Sequence, residues 1–273
     1  MTVIDAQTRT GLRQVAHRLA DAAREVTLRH FRQPLVAEAK GPAGAGGGRF
    51  DPVTVADRES EAAMRAILSR ERPGDAILGE EYGETVGETG LTWVLDPVDG
   101  TRGFICGTPC WGVLVAVADA EGPLFGIIEQ PYIRERFEGG FGVAQVAGPS
   151  GTAPLRARQG RRLAEAVLLT TFPEVGTRAE HDAFAQVAGQ VTLVRYGLDC
   201  YAYALLAAGQ IDLVIEAGLH AYDVNAPIAV IRAAGGVVTD WQGGPAHRGG
   251  RLLAAGSPEL HAEALAILSR CPA

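Results

Sequence analysis

A short turn with two carboxylates is the feature that most constrains how this chain can fold. Asp96 and Asp99 lie close together in the run Trp-Val-Leu-Asp-Pro-Val-Asp-Gly-Thr-Arg-Gly-Phe-Ile at 93–105. An apolar strand ends at this point, and a helix can begin at Gly100 and Thr101. Unpaired buried charge is costly, and hard divalent cations prefer clustered oxygen ligands. Helix N-termini bind phosphate through backbone N–H groups. The turn therefore indicates metal-dependent phosphoryl chemistry.

The charge of the chain disfavours some partners. Asp and Glu number 32 against 25 Lys and Arg, so the formal net charge is −7. This balance disfavours nucleic acid, whose binding depends on Lys and Arg neutralising phosphates. A small phosphorylated substrate agrees with it only if metal ions invert the local field. No apolar stretch approaches the ~18 residues that suggest a membrane span, and the first residues lack the order of a signal peptide. We expect a cytoplasmic protein that binds neither nucleic acid nor membrane.

The first part of the chain combines two helices with a run of strands. Apolar spacing predicts helices at 9–32 and 56–71. The glycine-rich run at 41–49 is expected to be a mobile loop, and it lacks the Gly-Lys-Ser/Thr ending of a P-loop. Strands follow one another without intervening helices, so we expect an antiparallel or mixed sheet with helices on one side. The predicted strands are 76–79, 92–96, 111–118, 123–129 and 135–138.

From about residue 164 strands and helices alternate, which indicates α/β organisation. We expect two subdomains, an α+β subdomain at 1–147 with most of the metal ligands and an α/β subdomain at 148–273, joined through 148–160. The predicted strands of the second part are 167–170, 191–194, 211–215, 236–239 and 252–255, and its predicted helices are 178–188, 199–208, 223–234 and 258–270.

Three further acidic segments can contribute to a site, and each also has an ordinary structural interpretation. Glu80 and Glu81 follow a predicted strand, where an exposed acidic turn is the alternative. Asp223 opens a predicted helix and can be only its N-cap. Asp57 can be only an acidic residue in the first turn of a helix.

Taken together, these motifs resemble the inositol monophosphatase family of magnesium-dependent phosphatases. The resemblance covers about residues 10 to 270 and implies a layered α-β-α-β-α sandwich of the inositol monophosphatase and fructose-1,6-bisphosphatase type, an α+β part joined to an α/β part. It also implies a phosphomonoesterase that works as a homodimer. The matching segments are Asp51-Pro-Val-Thr54-Val-Ala-Asp57, Gly79-Glu80-Glu81, the run 93–101, Tyr222-Asp223 and Ala234-Gly235-Gly236.

The resemblance also implies a set of site residues. Glu80, Asp96 and the Val98 carbonyl would hold one Mg²⁺, and Asp96, Asp99 and Asp223 would hold a second, with two or three ions per site. Water on the first metal, oriented by Thr101 and Glu80, would attack phosphorus, and Asp57 would accept a hydrogen bond from the Thr101 hydroxyl. The implied substrate contacts are Gly100, Thr101, Arg102, Arg195, Gly197, Asp199, Glu216 and Asp223.

Several stretches resemble the histidinol-phosphate phosphatases within this family, namely 130–136, 196–209 and 237–241. They imply hydrolysis of L-histidinol phosphate in histidine biosynthesis. Asp199 is the residue that can select this substrate, because a carboxylate can pair with the ammonium of an amino alcohol; the alternative is a helix N-cap. Tyr222 and Asn225 depart from the family pattern. An inositol-1-phosphate or broad sugar-phosphate phosphatase is the nearest alternative, and a catalytically silent metal- or phosphate-binding regulatory module is a weaker one.

Overall fold

The protein is described by a computed structural model over residues 4–34, 36–39 and 52–272, so the predicted loop 41–49 lies outside the described residues. The helices are α1 Ala6–His30, α2 Val55–Glu71, α3 Thr101–Cys106, α4 Arg178–Ala188, α5 Cys200–Ala207, α6 Ala221–Ala233 and α7 Pro258–Leu268. The strands are β1 Glu38–Ala39, β2 Pro52–Val53, β3 Ala76–Gly79, β4 Gly83–Thr85, β5 Thr92–Asp99, β6 Gly112–Asp119, β7 Gly122–Gln130, β8 Glu135–Gly140, β9 Val143–Gly148, β10 Gly151–Pro154, β11 Val167–Thr170, β12 Leu193–Tyr196, β13 Leu213–His220, β14 Val237–Thr239 and β15 Gly249–Ala255.

The first large sheet has eight strands in the order β10-β9-β8-β7-β6-β5-β3-β4. Only β3 and β5 pair in parallel, and the other neighbours are antiparallel. The predicted mixed sheet is therefore confirmed. The short strands β4, β9 and β10 were not predicted, and β10 lies within the segment expected to be a joint.

Both faces of this sheet are covered by helices, so the expectation of helices on one side only is wrong. Trp93 and Leu95 of β5 pack in one apolar cluster with α1 and α2. Val94 of β5, together with Leu114 and Ile128, packs in another cluster with α5 and α6. Because successive side chains of a strand point to opposite faces, a strand that is apolar throughout needs a cover on each side.

The second large sheet has five strands in the order β12-β11-β13-β15-β14. Strands β11, β12 and β13 are parallel, and β15 runs antiparallel to its neighbours β13 and β14. Leu169 and Val214 face α5 and α6, whereas Leu168 and Leu213 face α4 and α7. The order of layers is thus helices, sheet, helices, sheet, helices, and the predicted five-layer sandwich is confirmed.

The middle layer is in close contact with the first sheet through glycines. A Cβ on Gly126 would lie 2.6 Å from the Ala226 carbonyl oxygen, and one on Gly139 would lie 2.5 Å from the Val230 Cα. These glycines allow the backbone of α6 to lie directly on β7 and β8. Since α6 belongs to the second part of the chain, it joins the two predicted subdomains closely, and their boundary at 147/148 stays a prediction.

Membrane insertion has no candidate segment among the described helices, because none of them is both long enough and apolar enough to cross a bilayer.

Candidate active site

The end of β5 is irregular in a way that changes the direction of its polar side chains. The pairing of β5 with β6 shifts between Asp96 and Asp99, where three steps along β5 match two along β6. This is the pattern of a β-bulge, which redirects side chains at the end of a strand. Gly100 then adopts a φ of +81°, and α3 begins at Thr101. The predicted change from strand to helix is confirmed.

Three carboxylates meet at this turn. Oxygen atoms of Asp96, Asp99 and Asp223 all lie within 4.8 Å of one another. Asp223 comes from the first turn of α6, where its Oδ2 accepts a hydrogen bond from the backbone N–H of His220 at 2.6 Å. It is therefore the third residue of a capping box and not the N-cap itself. The Cys200 backbone N–H donates to Asp99 Oδ2 at 2.6 Å.

Burial and mutual repulsion raise the pKa of these carboxyl groups. Burial, followed by the charge of Glu80, raises the pKa of Asp96 well above its usual range. Burial and the charges of Asp199 and Asp223 raise the pKa of Asp99, and the hydrogen bond from Cys200 only partly opposes this. A divalent cation relieves this repulsion, and an all-oxygen donor set suits a hard cation such as Mg²⁺. The residues present therefore fit a metal site.

The Thr101 hydroxyl lies between two acceptors. It is 3.0 Å from the Val98 carbonyl oxygen and 3.4 Å from Asp57 Oδ1. Asp57 is completely buried, and its Oδ2 accepts from the Thr54 backbone N–H and hydroxyl at 2.8 and 2.6 Å. Asp57 thus forms the capping box of α2 and also faces Thr101. The position in the first helical turn is confirmed, and the catalytic role of Asp57 stays a prediction.

The carboxylates line a cavity of about 580 Å³ between the two parts of the chain. Two smaller cavities of about 510 and 420 Å³ lie along α1, away from this cluster. The predicted site residues that line the large cavity are Glu80, Asp96, Val98, Asp99, Gly100, Thr101, Arg102, Asp199, Glu216 and Asp223.

Asp199 occupies an unusual backbone position next to the turn. It precedes α5 with φ +45° and ψ −136°, and its side chain makes no capping hydrogen bond. A Cβ on Gly100 would lie 2.9 Å from the Asp199 Cγ, so the carboxylate lies directly over the turn. Burial, followed by the charge of Glu216, raises the pKa of Asp199 to about 7, and Arg102 opposes this shift. The N-cap interpretation does not explain this side chain.

Glu216 is held by two residues that the sequence did not point out. Its Oε1 accepts from the Thr171 backbone N–H at 2.9 Å and from the Thr171 hydroxyl, and its Oε2 accepts from the Tyr203 hydroxyl. Burial raises the pKa of Glu216, and these donors oppose the shift. A signal existed for Tyr203, which follows Asp199 by one helical turn and so shares its side of α5. Thr171 directly follows β11, and strand ends of this kind line α/β clefts.

Two predicted substrate contacts do not reach the cavity. Arg195 and Gly197 are exposed and lie outside the residues that line it, because Arg195 belongs to β12, the edge strand of the second sheet. Arg102 lies at the cavity with its guanidinium carbon 5.2 Å from the centre of the Phe172 ring.

Comparison with known proteins gives one consistent family. The model of the inositol monophosphatase family matches residues 9–273. The chain is 37% identical to a bifunctional phosphatase IMPL2, chloroplastic, of Arabidopsis thaliana over 93% of this chain and 74% of that protein. It is 34% identical to a histidinol-phosphatase of Mycobacterium tuberculosis, covering 80% and 85% of the two chains. An inositol monophosphatase structure from Zymomonas mobilis superposes with a TM-score of 0.81 at 35% identity, over 97% of this chain and all of the other.

Proposed function

The chain belongs to the inositol monophosphatase family of phosphomonoesterases, and from that premise we propose that it hydrolyses L-histidinol phosphate to L-histidinol and phosphate with Mg²⁺, as a step of histidine biosynthesis. The alternative is an inositol-1-phosphate or sugar-phosphate phosphatase. A silent regulatory module is disfavoured, because all four carboxylates proposed as metal ligands line the cavity.

The proposed metal ligands are the carboxylates that meet at the turn. Glu80, Asp96 and the Val98 carbonyl would hold one Mg²⁺, while Asp96, Asp99 and Asp223 would hold a second. Two or three ions per site are expected. Bound Mg²⁺ would neutralise phosphate charge and make water more acidic. The raised pKa values of Asp96 and Asp99 support this assignment, because a cation relieves the repulsion that raises them.

The residues around the turn would align water and phosphate for in-line attack. The Thr101 hydroxyl donates toward Val98 or Asp57, so its lone pairs can accept a hydrogen bond from the attacking water. Glu80, which also lines the cavity, would be a second acceptor. Backbone N–H groups of Gly100 and Thr101 would bind phosphate oxygens, since the first N–H groups of a helix have no partner within the helix. This arrangement requires no covalent phosphoenzyme.

The single observation that carries the choice of substrate is the Asp199 carboxylate over Gly100. Beyond the proposed metal ligands, three carboxyl groups line the cavity, namely those of Asp199, Glu216 and Glu174. The ammonium of histidinol phosphate can form a charge-assisted hydrogen bond with Asp199, whereas inositol phosphate carries no cation. The histidinol-phosphatase relative supports this choice, and the inositol monophosphatase neighbour supports the alternative.

The test is phosphate release from histidinol phosphate, inositol 1-phosphate and a nucleotide monophosphate, each with Mg²⁺ and with EDTA. We expect the highest kcat/KM for histidinol phosphate and no turnover in EDTA. Asp199→Ala should lower kcat/KM for histidinol phosphate by about 10- to 100-fold, the effect of losing a hydrogen bond to a charged group, and leave inositol phosphate unaffected. Asp182→Ala, at an exposed carboxylate on α4, is the matched control. An unchanged substrate preference in Asp199→Ala would contradict the assignment.

The homodimer and the cytoplasmic location that the sequence suggested stay predictions. Light scattering of the purified protein tests the first.

A further inference from the structure

Helix α2 carries two completely buried carboxylates one turn apart, and only one of them has a role in the proposed reaction. Asp57 faces Thr101, whereas Glu61 lies four residues later on the same face. Burying a charge is expensive unless it is paired and hydrogen-bonded. The groups that satisfy Glu61 therefore indicate what it does.

The backbone after β3 supplies most of the hydrogen bonds to Glu61. Its Oε2 accepts from the Glu81 N–H at 2.7 Å, and its Oε1 accepts from the Tyr82 N–H at 3.3 Å. Arg65, one turn further along α2, donates from Nε to Oε1 at 2.7 Å. The carboxylate thus fixes the two residues that directly follow Glu80.

The residue before Glu80 is shaped for the same contact. A Cβ on Gly79 would overlap the Glu61 carboxylate, so the close approach of α2 requires glycine there. Arg65 extends the contact to the far side of the turn, where it donates to the Gly83 carbonyl and, at 3.0 Å, to the Thr85 hydroxyl. Helix α2 is therefore bonded to the whole turn between β3 and β4.

Glu80 is fixed from the opposite side by β5. Its backbone N–H donates to the Leu95 carbonyl at 3.2 Å, and Leu95 precedes Asp96, whose pKa Glu80 raises. The Glu80 backbone thus lies between β5, which carries Asp96 and Asp99, and the buried Glu61 carboxylate of α2. These contacts restrict the conformation of the backbone at Glu80.

We propose that Glu61 is a positioning residue that presets Glu80 for metal binding, so that α2 orients both Thr101, through Asp57, and Glu80, through Glu61. The proposal rests on the metal-ligand role of Glu80 in the proposed function. Residues that orient a metal ligand raise the affinity for the metal. The ligand side chain is then already ordered before the metal binds, so less conformational entropy is lost on binding.

The other end of β3 offers a matched control for a merely structural role. Asp75 is also a buried carboxylate. Its Oδ2 accepts from Nε of Arg72, the C-cap residue of α2, at 2.6 Å. The carboxylate also accepts from the Thr89 hydroxyl at 2.6 Å and from Trp93 Nε1 at 2.9 Å. Asp75 directly precedes β3, whereas Glu80 directly follows this strand. Loss of Asp75 should lower stability without affecting the ligands.

The experiment measures Mn²⁺ binding by electron paramagnetic resonance of the free ion, alongside thermal unfolding and the Mg²⁺ dependence of phosphate release. Glu61→Gln keeps the size of the side chain but places an NH₂ group against N–H donors. We expect Glu61→Gln to bind Mn²⁺ roughly 10- to 100-fold more weakly, with activity recovered at saturating Mg²⁺. Gly79→Ala, which displaces the carboxylate without removing it, should act in the same direction if Glu61→Gln fails to fold.

The outcomes separate this proposal from the proposed function. Weaker Mn²⁺ binding in Glu61→Gln or Gly79→Ala, with unchanged binding in Asp75→Asn, supports the positioning role. Unchanged Mn²⁺ affinity in folded Glu61→Gln and Gly79→Ala, while Glu80→Gln loses it, overturns the positioning role and leaves the metal site in place. If wild type and Glu80→Gln bind Mn²⁺ equally, the ligand role of Glu80 fails and the positioning role fails with it.

Discussion

At the scale of single residues, Gly100 and Asp199 depend on each other. Two features disfavour a side chain at position 100. The backbone of Gly100 has a φ of +81°, and a Cβ would lie 2.9 Å from the Asp199 Cγ. Asp199 itself is one of the described non-glycine residues with positive φ, a kind of strain that clusters at functional sites. The turn that joins β5 to α3 thus also determines where the Asp199 carboxylate, the proposed substrate-selecting group, can lie.

A glycine pair of similar backbone conformation separates these two effects. Gly90 has φ +77° and no atom near its absent Cβ, so Gly90→Ala should lose only the ~1–2 kcal/mol of a left-handed backbone. Gly100→Ala should lose more in urea unfolding, and kcat/KM for histidinol phosphate should fall because Asp199 is displaced. Equal losses of stability in both variants, with full activity in Gly100→Ala, would show that the contact with Asp199 is unimportant.

At the scale of elements, α1 is held on the first sheet by buried charges as well as by its apolar face. Glu138 of β8 is almost completely buried and accepts from Arg13 Nε at 2.8 Å, from His17 Nε2 at 2.9 Å and from Gln145 Nε2 at 2.7 Å. Burial opposes ionisation of Glu138, but these hydrogen bonds outweigh it and lower its pKa to about 2. A charge on an inward-facing position of a strand is thereby tolerated.

This depressed pKa predicts a pH dependence of stability. Glu138 has a lower pKa in the folded protein than its ordinary value of 4.5, so its contribution is complete above that value and is lost as pH falls toward 2. At neutral pH Glu138→Gln should lose about 1.5–3 kcal/mol, the effect of losing hydrogen bonds between charged groups, because Arg13 and His17 stay partly exposed to water. The difference from wild type should shrink in acid, as measured by urea unfolding across pH.

The control for this pH dependence is Glu71→Gln on α2, because the Glu71 carboxylate pairs with Arg18 of α1 and is more exposed than Glu138. Its loss of stability should be much smaller than that of Glu138→Gln, because exposed ion pairs contribute little. A constant difference between wild type and Glu138→Gln from neutral to acid pH would contradict the role given to Glu138.

At the scale of the whole molecule, the proposed metal site connects two sheets. Asp96 and Asp99 lie at the end of a strand of the first sheet, whereas Asp223 lies in the first turn of α6, a helix between the sheets. A cation bound to all three stabilises their approach, because any ligand that binds only the folded state adds to stability by mass action.

Mg²⁺ should therefore raise the Tm of the wild-type protein, and EDTA should lower it. Saturation at a hundred times Kd adds about 2.7 kcal/mol. Asp223→Asn should abolish most of this Mg²⁺-dependent rise in Tm, measured by differential scanning fluorimetry. Asp182→Asn, at an exposed position on α4, should keep the full rise. An equal rise in wild type and Asp223→Asn would show that α6 takes no part in metal binding.

The sequence by itself determined most of the elements, the family resemblance and the carboxylate turn, because each of these signals lies in residues close together in the chain. Apolar spacing predicted α1, α2 and most strands, and the run 93–101 contains two of the proposed metal ligands together with the start of a helix. Such signals are local, since side-chain periodicity and turn chemistry depend on near neighbours.

Only the tertiary structure decided which distant side chains meet. It placed helices on both faces of the first sheet, put Arg195 and Gly197 outside the cavity, and brought Thr171 and Tyr203 onto Glu216. In the sequence, Glu61 is one of several charged residues on a predicted helix. Its position one turn after Asp57, on the same face as Met64 and Leu68, was a signal of burial. Its meaning depends on the turn that packs against it, because a buried carboxylate is defined by the donors that the fold brings to it.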